Sequence, residues 1–299
     1  MIRLEIGGFF ISLDAGESPV VRWPPQNCGP FIESSEGEAD LRFAVRLVKN
    51  LPELRRGRLL HDAREGFWKL FEIDGGLLIE SLDPATMLPF NLAKVSSDFS
   101  RGEIFTSETS PGDWDPNRVI NPIVEICLLT HLSRKGALMF HAAGIDWRGA
   151  GFVFTGPSGA GKSTLSGMFS ELGALLLNDE RVIVSDVTGS PVVHGTPWCG
   201  SNPVMHHAHA PLQGLYFIRH GADNAFRKLR AAEALSLCVK QAFLPYWDEP
   251  GMTAVLSSSE ALFRKVEALE YSFLPHPSAV DSILARSGSH AEGLLQKVS

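Results

Sequence analysis

"GFVFTGPSGAGKSTL", residues 151–165, is the stretch on which the fold turns. It joins an apolar, strand-like run, Gly151–Thr155, to the pattern G-x-x-x-x-G-K-S over Gly156–Ser163. Glycines at 156, 159 and 161 let backbone amides curl around phosphate oxygens, where a side chain would strain the turn or block the approach. The helix expected to open at Lys162 points the positive end of its dipole at the same place. In such a loop Lys162 supplies a point charge for the β- and γ-phosphates, and Ser163 a hydroxyl for Mg²⁺. Pro157, Ser158, Ala160 and Thr164 complete the nucleotide-binding set. The strand before and the helix after are the context that separates a phosphate loop from a chance match.

Upstream, "ALMFHAAGIDWRGAGFVFTG" (137–156) predicts two strands around Trp147-Arg148-Gly149. The strand feeding the loop thus has an antiparallel hairpin partner, whereas in most phosphate-loop proteins that strand runs parallel to its neighbours. Downstream, a helix from about Lys162 to Leu172 is stopped by Gly173. Next comes "ALLLNDE" (174–180), an apolar strand ending in two acids. This resembles a Walker B element, whose acid holds Mg²⁺ directly or through water. The plain alternative is a charged strand end beside Arg181. The apolar strand, the acids at its C-terminal end and the intervening helix favour the functional reading. The short spacing and the absence of L-S-G-G-Q exclude transporter ATPases, and no guanine-type N-K-x-D occurs. His141 ends the strand before the hairpin. Spacing alone leaves two readings open, a structural histidine and one near the γ-phosphate.

A formal net charge of -7 argues against a broad basic face, so no nucleic-acid partner is expected. Cys28, Cys127, Cys199 and Cys238 form no close pair, which points to reduced, mostly buried thiols rather than a disulfide frame or zinc site. The N-terminus carries acids too early for a signal peptide, and no apolar run approaches a membrane span. The expectation is a cytoplasmic protein without a membrane partner.

Residues 1–105 read as a β-rich domain with no catalytic motif: Leu41, Phe43, Val45 and Leu47 alternate, and "FWKLFEIDGGLLIESL" is a hairpin around Asp74-Gly75-Gly76. "RWPPQNCGP" (22–30) is a Pro-rich loop. Residues 106–120 are a turn-rich linker, and 121–299 form the second domain. That domain starts with a helix capped at Asn121, with Pro122 in its first turn and Lys135-Gly136 at its end. A turn is expected at Thr188-Gly189-Ser190, and "GLYFIRHGADNAFRKL" (214–229) reads as a hairpin. "AAEALSLCVKQAF" (231–243) is an amphipathic helix, and "SSSEALFRKVEAL" (257–269) a helix with Ser257 and Glu260 as a capping box. "YSFLPH" is a short strand, a last helix covers about 278–285, and residues 286–299 look loosely held. His206, His207 and His209 suggest a solvated or substrate-facing loop ahead of a metal site. Arg219, Arg227 and Arg230 lie within reach of phosphate or, the preferred reading for the last two, on solvated hairpin edges.

H-A-A-G (141–144), the hairpin, "GPSGAGKST" (156–164) and "LLLNDERVIV" (175–184), in this order, resemble the catalytic domain of HPr kinase/phosphorylase. The resemblance spans roughly residues 120–285 and is specific over 141–184. It implies an α/β fold with a mixed sheet, related to phosphoenolpyruvate carboxykinase, preceded here by the small β-rich domain. It implies that His141 is the active-site histidine. Asp179 and Glu180 align with two adjacent acids, one a base and one a metal ligand; the expectation is Asp179 as base and Glu180, with Ser163, on Mg²⁺. The implied activity is ATP-dependent phosphorylation of a hydroxyl, most simply a serine of a peptide or protein. A small-molecule hydroxyl (amino acid or sugar) and a non-catalytic nucleotide-binding module are the alternatives. A homo-oligomer is left open. Two departures stand out. The second acid is Glu, and "GTPWCGSNPVMHHAHAP" (195–211) replaces the family's glycine-rich stretch. The expectation is therefore net phosphorylation without efficient phosphorolysis, and an acceptor other than HPr.

Overall fold

Alternating burial builds the N-terminal strands: Leu41, Phe43 and Val45 are buried while Arg42 and Arg46 are exposed. The computed structural model describes residues 1–16, 26–35, 37–63, 65–107, 117–186, 189–200 and 202–288. Parts of the Pro-rich loop, the 106–120 linker, the turn at Thr188 and the C-terminal tail lie outside the described residues. The chain divides into two units, residues 1–134 with 245–252, and residues 135–244 with 253–299. The sequence reading began its second domain at residue 121.

The first unit carries an eight-stranded sheet among its described residues. Its strands are β1 (Ile2–Ile6), β2 (Phe9–Asp14), β3 (Leu41–Val48), β4 (Arg58–Ala63), β5 (Trp68–Ile73), β6 (Gly76–Leu82), β7 (Pro89–Val95) and β8 (Arg101–Ser107). They lie in the order β1-β2-β3-β8-β7-β6-β5-β4. The expected hairpin is β5–β6, closed where Ile73 faces Gly76. Asn121 is extended (φ -123°, ψ 122°), and regular helix α1 runs Glu125–Arg134. The segment 245–252 belongs to this unit: Trp247 meets Trp68 edge-on at 4.9 Å and donates to Thr130 Oγ1 at 2.9 Å. Arg134 grips buried Asp248 through two bonds, 2.6 and 2.9 Å.

The second unit is built on β9 (Leu138–Trp147) and β10 (Ala150–Thr155), the expected antiparallel hairpin. Arg148 and Gly149 both have positive φ, 53° and 85°, as a two-residue primed turn requires. Helix α2 (Lys162–Glu171) follows, then β11 (Leu175–Asn178), β12 (Arg181–Ser185), β13 (Val192–His194), β14 (His209–His220) and β15 (Ala225–Lys228). The rest are α3 (Ala231–Gln241), β16 (Ala242–Phe243), the part from Thr253 onward of α4 (Glu249–Lys265), β17 (Ala268–Phe273) and α5 (Ser278–Ser287). Mixed pairing runs β10-β9-β12-β13-β14-β17-β15, and β10 also pairs with β14 in parallel, so β10, β9, β12, β13 and β14 close a circuit. Phe152 and Phe154 stack on Phe169 of α2, at 6.0 and 5.5 Å, in a core that also takes Tyr216, Tyr271 and Ile283. That packing fixes the helix that follows the loop.

Two sequence expectations are corrected. Residues 214–229 are not a hairpin: β17 lies between β14 and β15, parallel to the first and antiparallel to the second. A distant strand competes for the inner position, and local turn signals are blind to it. Ser257 is not a cap either. The helix starts at Glu249, where Asp248 accepts the Gly251 N–H at 2.9 Å, and Ser257 bonds back to Thr253 O at 3.2 Å. Among the described residues no helix is long and apolar enough to cross a membrane.

Candidate active site

β9 is the hub of the site. Its Ala142 pairs with Thr155, the last residue before the loop, and Thr155 Oγ1 donates to His141 O at 3.0 Å. Arg181 pairs with His141, and Ala142 N–H donates to Glu180 O at 3.1 Å. One strand therefore brings the loop, the histidine and the acidic turn together.

The loop needs its glycines for space as well as conformation. A Cβ at Gly156 would lie 2.8 Å from Ile218 O. At Gly161, with φ 97°, it would lie 2.7 Å from Phe273 Cζ. Gly161 is the N-cap of α2 and provides no side-chain cap, which leaves the first amides of the helix for a ligand. Lys162 is 9% exposed, and its Nζ donates to Gly156 O at 2.9 Å. Burial lowers its pKa, and Glu180 opposes the shift.

The acids sit in the turn between β11 and β12. Asp179 is 8% exposed, and its Oδ1 has no hydrogen-bond partner. Burial raises its carboxyl above the ordinary carboxylate range, against hydrogen bonds from Asn202 and its own backbone. Glu180 is half-exposed, with Oε1 3.5 Å from His141 Nε2. Burial and the nearby Lys162 lower the His141 pKa, while Glu180 pulls it upward. The Glu180 carboxylate and the Ser163 hydroxyl line one cavity, and both are hard oxygen donors of the kind that fits a divalent cation.

These groups share one open cavity of about 320 Å³, lined by His141, Ser158, Gly159, Gly161, Lys162, Ser163, Thr164, Asp179 and Glu180 among others. Gly156, Pro157 and Ala160 shape the loop without lining it. A larger cavity, about 770 Å³, lies among β15, α3, α4 and β17 and holds none of these residues. The structure does not bring the other candidates here. His206 Nδ1 bonds Leu176 O at 2.7 Å, and His209 stands 5.5 Å from the His194 ring. Among the described residues no three His, Cys, Asp or Glu form a metal-binding group. Arg219 and Arg227 pair with Glu270, at 3.1 and 3.0 Å, and Arg230 N–H donates to Glu233. All four cysteines are free, and Cys28, Cys127 and Cys238 are buried.

Sequence reading missed Asn178, Gly200 and His220. Asn178 is fully buried and makes four bonds. Its Nδ2 donates to Thr196 O and Trp198 O at 2.9 and 3.0 Å, and its Oδ1 accepts from Glu180 and Arg181 N–H at 2.7 and 2.9 Å. It thus ties the acidic turn to the loop bearing Gly200, where a Cβ would lie 3.0 Å from Glu180 Oε2. The available signal was an amide immediately before an acid pair, at the end of an apolar strand. Asn178→Ala leaves buried donors and acceptors unpaired and is expected to cost about 2–4 kcal/mol, read as a lowered urea midpoint. An unchanged midpoint would show that the turn is held by other contacts.

No family model matches the sequence, and no curated protein matches it either. Among solved structures, the Hpr(Ser) kinase/phosphatase from Coxiella burnetii aligns over 52% of this chain and 99% of its own, at 12% identity and a TM-score of 0.32.

Proposed function

We propose that the chain is an ATP-dependent phosphotransferase that moves the γ-phosphoryl group to a hydroxyl, a serine of a peptide or protein being the favoured acceptor. The observation that carries this reading is the convergence of Lys162, Ser163, His141, Asp179 and Glu180 on one cavity beside a glycine loop and an uncapped helix start. Phosphoryl transfer asks a protein mainly for positioning and charge neutralisation. The loop amides and Lys162 hold the phosphates. Ser163 and Glu180 would hold Mg²⁺, which supplies further neutralisation of phosphate charge when bound. Asp179 accepts the proton of the acceptor hydroxyl as its oxygen attacks. His141, next to Glu180, orients that carboxylate.

Asp179 favours an enzyme over a module that only binds nucleotide. Burying a carboxylate with an unpartnered oxygen is costly, and binding alone does not require it. The purified protein is tested with γ-labelled ATP, Mg²⁺ and panels of serine peptides, free hydroxyl amino acids and sugars. Labelled acceptor is the expected result, and the panel that is labelled names the acceptor class. Nucleotide binding with neither transfer nor ADP formation would replace the enzyme with the binding module.

A further inference from the structure

β14 is parallel to β10, so its C-terminal end lies beside the loop that leaves β10. Phe217 pairs with Thr155, and three residues after Phe217 the chain reaches His220, which lines the same cavity as Lys162 and Asp179. His220 Nε2 stands 2.8 Å from Gly159 O. A carbonyl oxygen only accepts, so Nε2 carries the proton and donates it. Lys162 holds the first carbonyl of the loop from within, and His220 holds a central one from a separate strand.

The ring has two close neighbours. His220 pairs with Phe273 across β14 and β17, with ring centroids 5.8 Å apart and tilted by 33°. It also lies against bare backbone, since a Cβ on Gly161 would be 3.2 Å from His220 Cε1. The bonded carbonyl belongs to the Gly159–Ala160 peptide, whose N–H closes the loop's inner turn on Pro157 O at 3.1 Å. Gly159 has φ 78°, in a region where glycine moves freely. A loop with two such residues, Gly159 and Gly161, gains order from an outside anchor, and a cradle that is already ordered loses less entropy when it binds.

We propose that His220 is a positioning residue for the phosphate loop: its Nε2–H bond to Gly159 O pre-sets the cradle for the nucleotide's phosphates. This rests on the nucleotide-binding reading above. The sequence contains no motif that marks it, because His220 lies far along the chain from the loop it holds.

Two substitutions separate the bond from the packing. His220→Phe keeps a ring against Phe273 and removes the donor. His220→Gln keeps an N–H donor the same number of bonds from the backbone, on a non-aromatic side chain. Calorimetric titration with ATP and with ADP, together with steady-state transfer, reads both, and Lys162→Ala is titrated in parallel. For His220→Phe the dissociation constants and the KM for ATP are expected to rise about tenfold, with a smaller fall in kcat. His220→Gln is expected to recover most of that affinity. Should phenylalanine not be accommodated, as judged by melting, His220→Ala takes its place. Wild-type affinity in the donor-less variant overturns the proposal, as does a glutamine variant as weak as it. If Lys162→Ala loses nucleotide while the donor-less variant does not, only the role of His220 falls. If the wild-type chain binds no nucleotide, the phosphate-loop reading falls and this proposal with it.

Discussion

Lys162→Ala is expected to abolish phosphoryl transfer and to weaken ATP binding. The ammonium is the only side-chain cation in the 156–164 loop, and it is buried in the cavity wall against Gly156 O. In a water-poor site a charge placed where phosphate charge develops is worth more than the same charge in solvent. Removing one such group costs on the order of 10²–10³ in rate in comparable electrostatic sites. Arginine at this position is not expected to rescue, because a planar, wider guanidinium replaces the compact ammonium that is buried against Gly156 O. Initial rates of label transfer at saturating ATP make the measurement. Transfer at the wild-type rate would remove the loop from the mechanism.

Asp179→Asn keeps the shape of the side chain and removes its charge. ATP binding should survive while transfer falls by about 10²–10⁴-fold, the usual worth of a general base. The pH dependence follows from the same carboxyl. It acts as a base only when ionised, and burial raises its pKa. The acid limb of the rate profile is therefore expected above the ordinary carboxylate range, with the rate rising as pH increases through it. Stability runs the other way. A carboxyl whose folded pKa is raised contributes stability that is present below its unfolded pKa and lost as pH rises through its folded pKa. At neutral pH the wild-type protein carries that cost, and Asp179→Asn is expected to melt at a higher temperature. Glu180→Gln is the control. If it loses transfer with intact ATP binding, and Asp179→Asn loses Mg²⁺ dependence instead, the two acids exchange roles.

The histidine shows where sequence reading reached its limit. Spacing left His141 between a core residue and a site residue. The register of β9 against β10 and β12 places its Nε2 3.5 Å from Glu180 and the ring in the cavity wall. Asn178 showed in the sequence only as an amide before the acid pair, and His220 not at all. Their contacts reach Thr196, Trp198 and Gly159 across long stretches of chain, and no local pattern encodes such a bond. The misread hairpin has the same cause, since β17 takes the place between β14 and β15.

By itself the sequence determined the local elements around the loop. The glycine spacing, the apolar strands on either side, the Arg148-Gly149 turn and the stop at Gly173 are short-range signals, written in residues that restrict or free their own backbone. It also determined which side chains are chemically able to serve: one lysine, one serine and two adjacent acids. Only the tertiary structure decided which of the candidates meet. It turned His206, His209, Arg219 and Arg227 toward other partners and brought His220 in. It left Asp179 buried with one oxygen unpartnered. The reason is physical: backbone preference acts within a few residues, whereas strand pairing and burial are settled by whichever distant segment packs best.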